Sequence, residues 1–140
     1  MGRSVRDVMT TPPVTLRQTQ SCASAARLMR DKDIGAAVVT GADGEVCGMV
    51  TDRDIVIRCV ADNRNPNTTA LARVCSRGLV ALSPEDDLRR AVEVMRSNAL
   101  RRVPIVENGK PIGILSLGDL AVLEAPESAL GRISQAPANH

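Results

Sequence analysis

The chain is written twice. Val5-Arg6-Asp7-Val8-Met9-Thr10 lines up with Leu71-Ala72-Arg73-Val74-Cys75-Ser76, and the same offset of 66 residues carries Leu28-Met29-Arg30 onto Val94-Met95-Arg96. After a one-residue gap in a turn the offset is 65. Gly48-Met49-Val50-Thr51-Asp52-Arg53-Asp54-Ile55 then falls on Gly113-Ile114-Leu115-Ser116-Leu117-Gly118-Asp119-Leu120. Repetition over this length means two copies of one supersecondary unit, each needing a partner to bury an apolar face. It restricts the chain to a duplicated architecture, and every residue gains an internal control in its counterpart.

Each copy reads as strand, helix, strand, strand, helix, which gives an α/β (α+β) fold of two β-α-β-β-α repeats. In the first copy Val14-Thr15-Leu16 is a short extended start, and Ser21 to Lys32 places Cys22, Ala25, Ala26, Leu28 and Met29 at helical spacing. Ala36 to Thr40 and Val46 to Val50 are strands around the turn Gly41-Ala42-Asp43-Gly44. Thr51-Asp52-Arg53-Asp54 then opens a second helix. In the second copy Ser83-Pro84-Glu85-Asp86 reads as a helix start, with a capping Ser, Pro in the first position and acids in the first turn. Val103 to Val106 and Pro111 to Leu115 are the hairpin strands, and Ser116 to Asp119 opens the last main helix. The domains are therefore 4–62 for the first repeat, 63–70 for a polar linker, 71–125 for the second repeat and 126–140 for a short helix and tail.

Composition excludes several classes. The chain of 140 residues has no Phe, Trp or Tyr, so its core must be aliphatic and any bound base must lie against aliphatic or Arg side chains. Single-strand nucleic-acid binding relies on aromatic platforms and a basic footprint, and a net charge of +2 supplies neither. No apolar run of membrane-spanning length and no signal-like leader is evident, so a cytoplasmic location is expected. Three of the four cysteines face aliphatic counterparts: Cys22 faces Leu88, Cys47 faces Ile112 and Cys75 faces Met9. They read as small core hydrophobes. Cys59 faces Glu124 and its role is open. The only histidine is His140, and no metal-ligand spacing is present.

The sharpest motifs are the tetrads Thr51-x-x-Asp54 and Ser116-x-x-Asp119, each following a glycine-led apolar strand. A helix start offers unpaired amides and a positive dipole end suited to phosphate, and a carboxylate one turn along can accept the two hydroxyls of a ribose. The same residues also make an ordinary capping box. Both readings stand on the sequence.

The combination of motifs is more specific than either tetrad. Asp7-Val8-Met9-Thr10, Asp33 to Val39, Gly44 to Ile55, Arg101 to Val106 and Gly109 to Leu120 together resemble the cystathionine-β-synthase (CBS) domain family in its tandem-pair form, the Bateman module. The resemblance implies two repeats packed with pseudo-two-fold symmetry and clefts between them that take AMP, ADP, ATP or S-adenosylmethionine as a regulatory ligand. It places Asp54 and Asp119 at ribose and Thr51 and Ser116 near phosphate. Backbone at Ala37-Val38 and Val103-Pro104 lines an adenine pocket, with Val14 and Val80 as aliphatic neighbours. Arg53, Arg101 and Arg102 are candidate phosphate partners. The copies differ where Val38 stands opposite Pro104 and Arg53 opposite Gly118, so the two clefts are expected to be unequal.

No Ser-His-Asp or Cys-His set and no phosphate-binding glycine loop followed by Lys is available, so no catalysis is expected. The expected function is a stand-alone regulatory module with no required cofactor, forming a homodimer through helices and signalling to an unknown effector protein. The alternative is a structural or protein-interaction module that binds no ligand.

Overall fold

The computed structural model describes residues 3–76 and 79–124. The short helix and tail expected over 126–140 lie outside the described residues. Two compact units are formed. One holds the residues up to Pro12, Val80–Glu107 and those from Ile112, and the other holds Pro13–Leu79 with Asn108–Pro111.

The second of these carries the body of the first repeat. Its elements are β1 (Thr15–Arg17), α1 (Cys22–Lys32), β2 (Ala36–Thr40), β3 (Val46–Thr51) and α2 (Asp52–Ile55), which runs on as a π-helical turn over Val56–Val60. The sheet order is β1-β2-β3. β1 and β2 are parallel, with Leu16 beside Val39, and α1 is the crossover that parallel pairing requires. β2 and β3 form an antiparallel hairpin with Ala37 beside Val50. As the central strand, β2 is buried along all five of its residues, which explains its run of small and β-branched side chains. Helix α1 begins where Ser21 Oγ accepts the Ser24 amide at 3.1 Å, and it ends at Asp33 in a left-handed conformation. Its buried face of Cys22, Ala25 and Met29 packs on Leu16, Val39, Val50, Ile55 and Leu71.

The other unit carries the body of the second repeat: α3 (Leu88–Ser97), β4 (Arg102–Glu107), β5 (Lys110–Ser116) and α4 (Leu117–Glu124). Its core is Val5, Leu82, Ala91, Val94, Met95, Val103, Ile105, Leu115 and Leu120. Burying a Val, Leu or Ile in this way stabilises the fold by about 1.5–3 kcal/mol per side chain, and both cores are built of aliphatic side chains with Met and, in the first-repeat unit, three cysteines.

Two expectations for the second repeat are corrected. Its leading strand is reduced to one parallel bridge between Leu82 and Ile105. In the first repeat Val38 donates to Val14 O and Gln18 donates to Thr40 O, both at 2.9 Å. The counterparts of these donors are Pro104 and Pro84, which have no N–H to give. Nor does Ser83 start helix α3. Asp87 does, accepting the Arg90 amide at 2.7 Å. Ser83 to Asp86 instead form a separate turn, in which Ser83 donates its amide to Asp86 Oδ2 at 2.8 Å. The Pro84 and Asp86 carbonyls are taken by the amides of Arg6 and Val5.

Those last bonds belong to a reciprocal exchange. Each repeat's leading segment is built into the unit formed by the other repeat's body. Val5 donates to Asp86 O and Leu71 donates to Gln20 O, each at 2.8 Å. Thr10 bridges Ile114, and Ser76 bridges Met49. Leu88 donates to Arg3 O, and Cys22 donates to Thr69 O. Every pair has its counterpart at the repeat offset, so the duplication extends to individual backbone hydrogen bonds.

Candidate functional site

Both tetrads fold into capping boxes. Thr51 Oγ1 accepts the Asp54 amide at 3.1 Å while Asp54 Oδ2 accepts the Thr51 amide at 2.9 Å. Ser116 Oγ and Asp119 Oδ2 repeat this at 3.0 and 2.9 Å. The cause is local: an extended residue with a hydroxyl, placed where strand turns into helix, sets its oxygen against the third helical amide. All four residues are half-buried. Each carboxylate therefore spends one oxygen on the cap, and Oδ1 keeps its acceptor capacity and lies at the start of a helix.

The strands next to these starts hold the other predicted residues. Ala36 pairs with Thr51 and Ala37 with Val50, so the Ala37-Val38 backbone runs alongside the first tetrad within one unit. Ala37 and Val38 are fully buried, and Val14 is half-buried against the same core. In the other unit Val103 is fully buried and Pro104 is buried, its carbonyl accepting the Leu82 amide at 3.1 Å. Val80 is half-buried against that core. The join of strand to helix also repeats. Asp52 donates to Gly35 O at 3.0 Å, and Leu117 donates to Arg101 O at 2.8 Å. Arg53, Arg101 and Arg102 are exposed side chains. The candidate residues thus fall into two sets, one for each unit.

None of the four cysteines is in a disulfide, and Cys22, Cys59 and Cys75 are buried. Cys59 faces inward from the π-helical turn into the core that holds Cys22. Burial pushes the Cys22 thiol up to about 11, with its hydrogen bond to Cys59 adding to the effect. A thiol in that state is a packing group and not a nucleophile. Among the described residues no group of three or more His, Cys, Asp and Glu side chains is placed to hold a metal ion.

Sequence reasoning missed two features. The Asp87 cap was readable from the repeat, because its counterpart is Ser21, the cap of α1. The pairing of Arg6 with Glu85 at 2.9 Å and Glu107 at 3.2 Å carried no sequence signal, since the three lie far apart in the chain.

A duplicated helix–hairpin–helix frame with a hydroxyl-x-x-Asp cap in each copy defines a tandem pair of one repeat. The CBS domain family matches residues 5–60 and 71–124, and the chain belongs to it. It is 38% identical over 128 residues to the CBS domain-containing protein YhcV of Bacillus subtilis, covering 91% of this chain and 90% of that protein. It is 31% identical over 127 residues to Hypoxic response protein 1 of Mycobacterium tuberculosis, covering 91% of this chain and 88% of that one. A crystal structure of Hypoxic Response Protein I with two coordinated zinc ions matches with a TM-score of 0.78 at 30% identity, over 84% of this chain and 96% of that one. The CBS domain pair of protein MJ0100, in complex with 5'-methylthioadenosine and S-adenosylmethionine, shares the fold with a TM-score of 0.80 at 19% identity, over 91% of this chain and 100% of that one. Among the described residues no helix is long and apolar enough to cross a membrane.

Proposed function

We propose that this CBS pair is a non-catalytic regulatory module that binds an adenosine-containing ligand, AMP, ADP, ATP or S-adenosylmethionine, and transmits its occupancy to a partner protein. One observation carries the reading. Both repeats keep a hydroxyl and a carboxylate in the same geometry at a helix start, with one carboxylate oxygen left over for a ribose. Asp54 and Asp119 are the ribose acceptors, and Thr51 and Ser116 stand near phosphate. Backbone at Ala37-Val38 and Val103-Pro104, with Val14 and Val80, forms the apolar surroundings of the base. Arg53, Arg101 and Arg102 are exposed and long enough to reach phosphate. That the same fold accommodates 5'-methylthioadenosine and S-adenosylmethionine in the MJ0100 pair supports the ligand class. The zinc seen with Hypoxic Response Protein I is not carried over, because the described residues offer no metal cluster.

A ligand shifts a conformational equilibrium only by its differential affinity for the two states, so the output depends on a partner that reads them differently. The module is also proposed to pair with a second copy. Val56, Ile57 and Val60 leave 55%, 46% and 59% of their surface exposed on one helical segment, and Leu117 leaves 42% on α4. A homodimer through these faces would sediment at twice the chain mass, and Val56→Glu would return it to monomer.

The capping boxes favour a second reading, a structural module whose tetrads only cap helices. Calorimetric melting with each ligand separates the two. A ligand at about 100 times its dissociation constant adds about 2.7 kcal/mol, a shift of several degrees for a chain of this size. A shift with one adenosine ligand that is lost in Asp54→Ala or Asp119→Ala supports the sensor. No shift with any of them leaves the structural module.

A further inference from the structure

The two repeats treat one spot in opposite ways. In the unit built on the second repeat, Arg6 binds Glu85 and Glu107, with Ser83 on the same turn. The repeat offset puts Ala72 at the Arg6 position, Thr19 at Glu85, Gly41 at Glu107 and Arg17 at Ser83. The backbone frame is conserved between them: Arg6 donates to Pro84 O at 3.1 Å, and Ala72 donates to Gln18 O at 3.0 Å. In the unit built on the first repeat the ion cluster is therefore gone. In its place is an open cavity of about 330 Å³, lined by Arg17, Gln18, Thr19 and Thr40 and by the turn residues Gly41, Ala42 and Gly44.

The change also inverts the charge. A cation held by two carboxylates gives way to a lining whose one charged side chain is Arg17, with Lys110 Nζ beside Gly44. Three of the side chains that remain can donate. Arg17 is exposed and brings a guanidinium, and Thr19 brings a hydroxyl. Gln18 turns Oε1 to the Cys47 thiol, 3.7 Å away, which directs its Nε2 toward Gly41. Asp43 is the nearest carboxylate: its Oδ1 would lie 3.3 Å from a β-carbon at Gly41, closer than Gln18 Nε2 at 3.8 Å, and it is engaged by the Glu45 amide at 2.9 Å. The lining residues lie at the ends of β1 and β2 that point away from Thr51 and Asp54, since Arg17 and Thr40 close one end of the sheet and Ala36 pairs with Thr51 at the other.

We propose that this cavity is a second binding site, for a small oxyanion such as a carboxylate or phosphate group, independent of any ligand at the helix starts. Arg17 supplies the charge, and Gln18 Nε2 and Thr19 supply neutral donors. The second repeat does not offer the same site, because its cation, Arg6, is already paired with Glu85 and Glu107.

The test is a titration of the full chain with inorganic phosphate, followed through backbone amide signals. Saturable shifts at Gly41, Ala42 and Gly44 are expected, with a dissociation constant on the order of 1 mM. Arg17→Ser and Thr19→Glu import the residue types of the second repeat at exposed positions and leave the core alone. Each should weaken binding about tenfold, as expected for losing or opposing one charge-assisted hydrogen bond. Wild-type affinity in both variants would overturn the proposal. So would shifts confined to Thr51–Asp54 or Ser116–Asp119, or no saturable shift at all.

Discussion

Ser76 and Met49 exchange both backbone hydrogen bonds, at 2.9 and 3.3 Å, and the exchange sets the Ser76 carbonyl directly over the α-carbon of Gly48. A β-carbon at position 48 would run into that carbonyl. The counterpart Gly113 lies under Met9 and Thr10 in the other unit, where a β-carbon would meet the Met9 sulfur at 2.7 Å and the Thr10 carbonyl at 3.1 Å. Both glycines exist because the exchanged leading segments come in close, and they differ in what they face.

Gly48→Ala and Gly113→Ala should therefore cost different amounts. Both carbonyls are held in two-bond bridges, but the Ser76 carbonyl comes far closer to the new β-carbon than the Thr10 carbonyl does at 3.1 Å, and the Met9 thioether can rotate away. Gly48→Ala is expected to lose about 3 kcal/mol, the upper part of the overpacking range, and Gly113→Ala about 1 kcal/mol. Urea unfolding of both variants measures the difference, and equal losses would show that the Met9 side is as rigid as the Ser76 side.

The capping boxes make a prediction separate from ligand binding. Asp54 Oδ2 and Asp119 Oδ2 each accept a half-buried backbone amide, so replacing either residue with Ala should cost about 1 kcal/mol without any ligand. Thr51→Ala should cost about as much, and Thr51→Ala with Asp54→Ala less than the sum, because the two residues form one box. Thermal melts of the ligand-free variants check this. Full additivity would mean that the two residues act independently.

Ala99 occupies a left-handed conformation, with φ 53, at the end of α3. Its counterpart Asp33 has φ 57, and Asp tolerates that region better than Ala does. Ala99 is exposed, and its amide donates to Arg96 O while Leu100 donates to Met95 O at 2.8 Å. Ala99→Gly relieves the strain with those bonds intact and should stabilise the protein by about 1 kcal/mol. A melting temperature unchanged or lowered by this substitution would contradict the assigned backbone conformation.

The repeat made most of this architecture legible before any coordinates. The alternation of Ala36 to Thr40 with the Gly41–Gly44 turn, and the hydroxyl-x-x-Asp tetrads, are local signals, and local signals decide strand, turn and cap. Ser83 misled because its Pro and acids are also turn residues, and only the contact of Val5 and Arg6 with the Asp86 and Pro84 carbonyls decides between turn and helix. The missing strand in the second copy was readable in principle, since Pro84 and Pro104 stand where the first copy needs donors. The exchange of leading segments was not. It depends on which body each segment docks against, and both bodies have nearly the same pattern. The Arg6 cluster was hidden for the same reason, because its partners meet only through that docking.

Cys22 gives a pH-dependent prediction. Burial in an aliphatic core disfavours its thiolate, and the hydrogen bond with Cys59 opposes ionisation further, so the thiol rises from an ordinary value of 9.0 to about 11. Between these values the folded chain holds a proton that the unfolded chain has released. Stability must then fall as pH rises through that window. The contribution is whole below about pH 9, declines toward about pH 11 and is lost above it. Urea midpoints across that range should drop more steeply for the wild type than for Cys22→Ala, which keeps a small apolar side chain but has nothing to titrate. The comparison isolates the Cys22 thiol, because it is the one side chain in which the two proteins differ. Parallel pH profiles for the two would show that the Cys22 thiol ionises in the folded state as readily as in the unfolded chain, and the dry environment assigned to the α1 face would then be wrong.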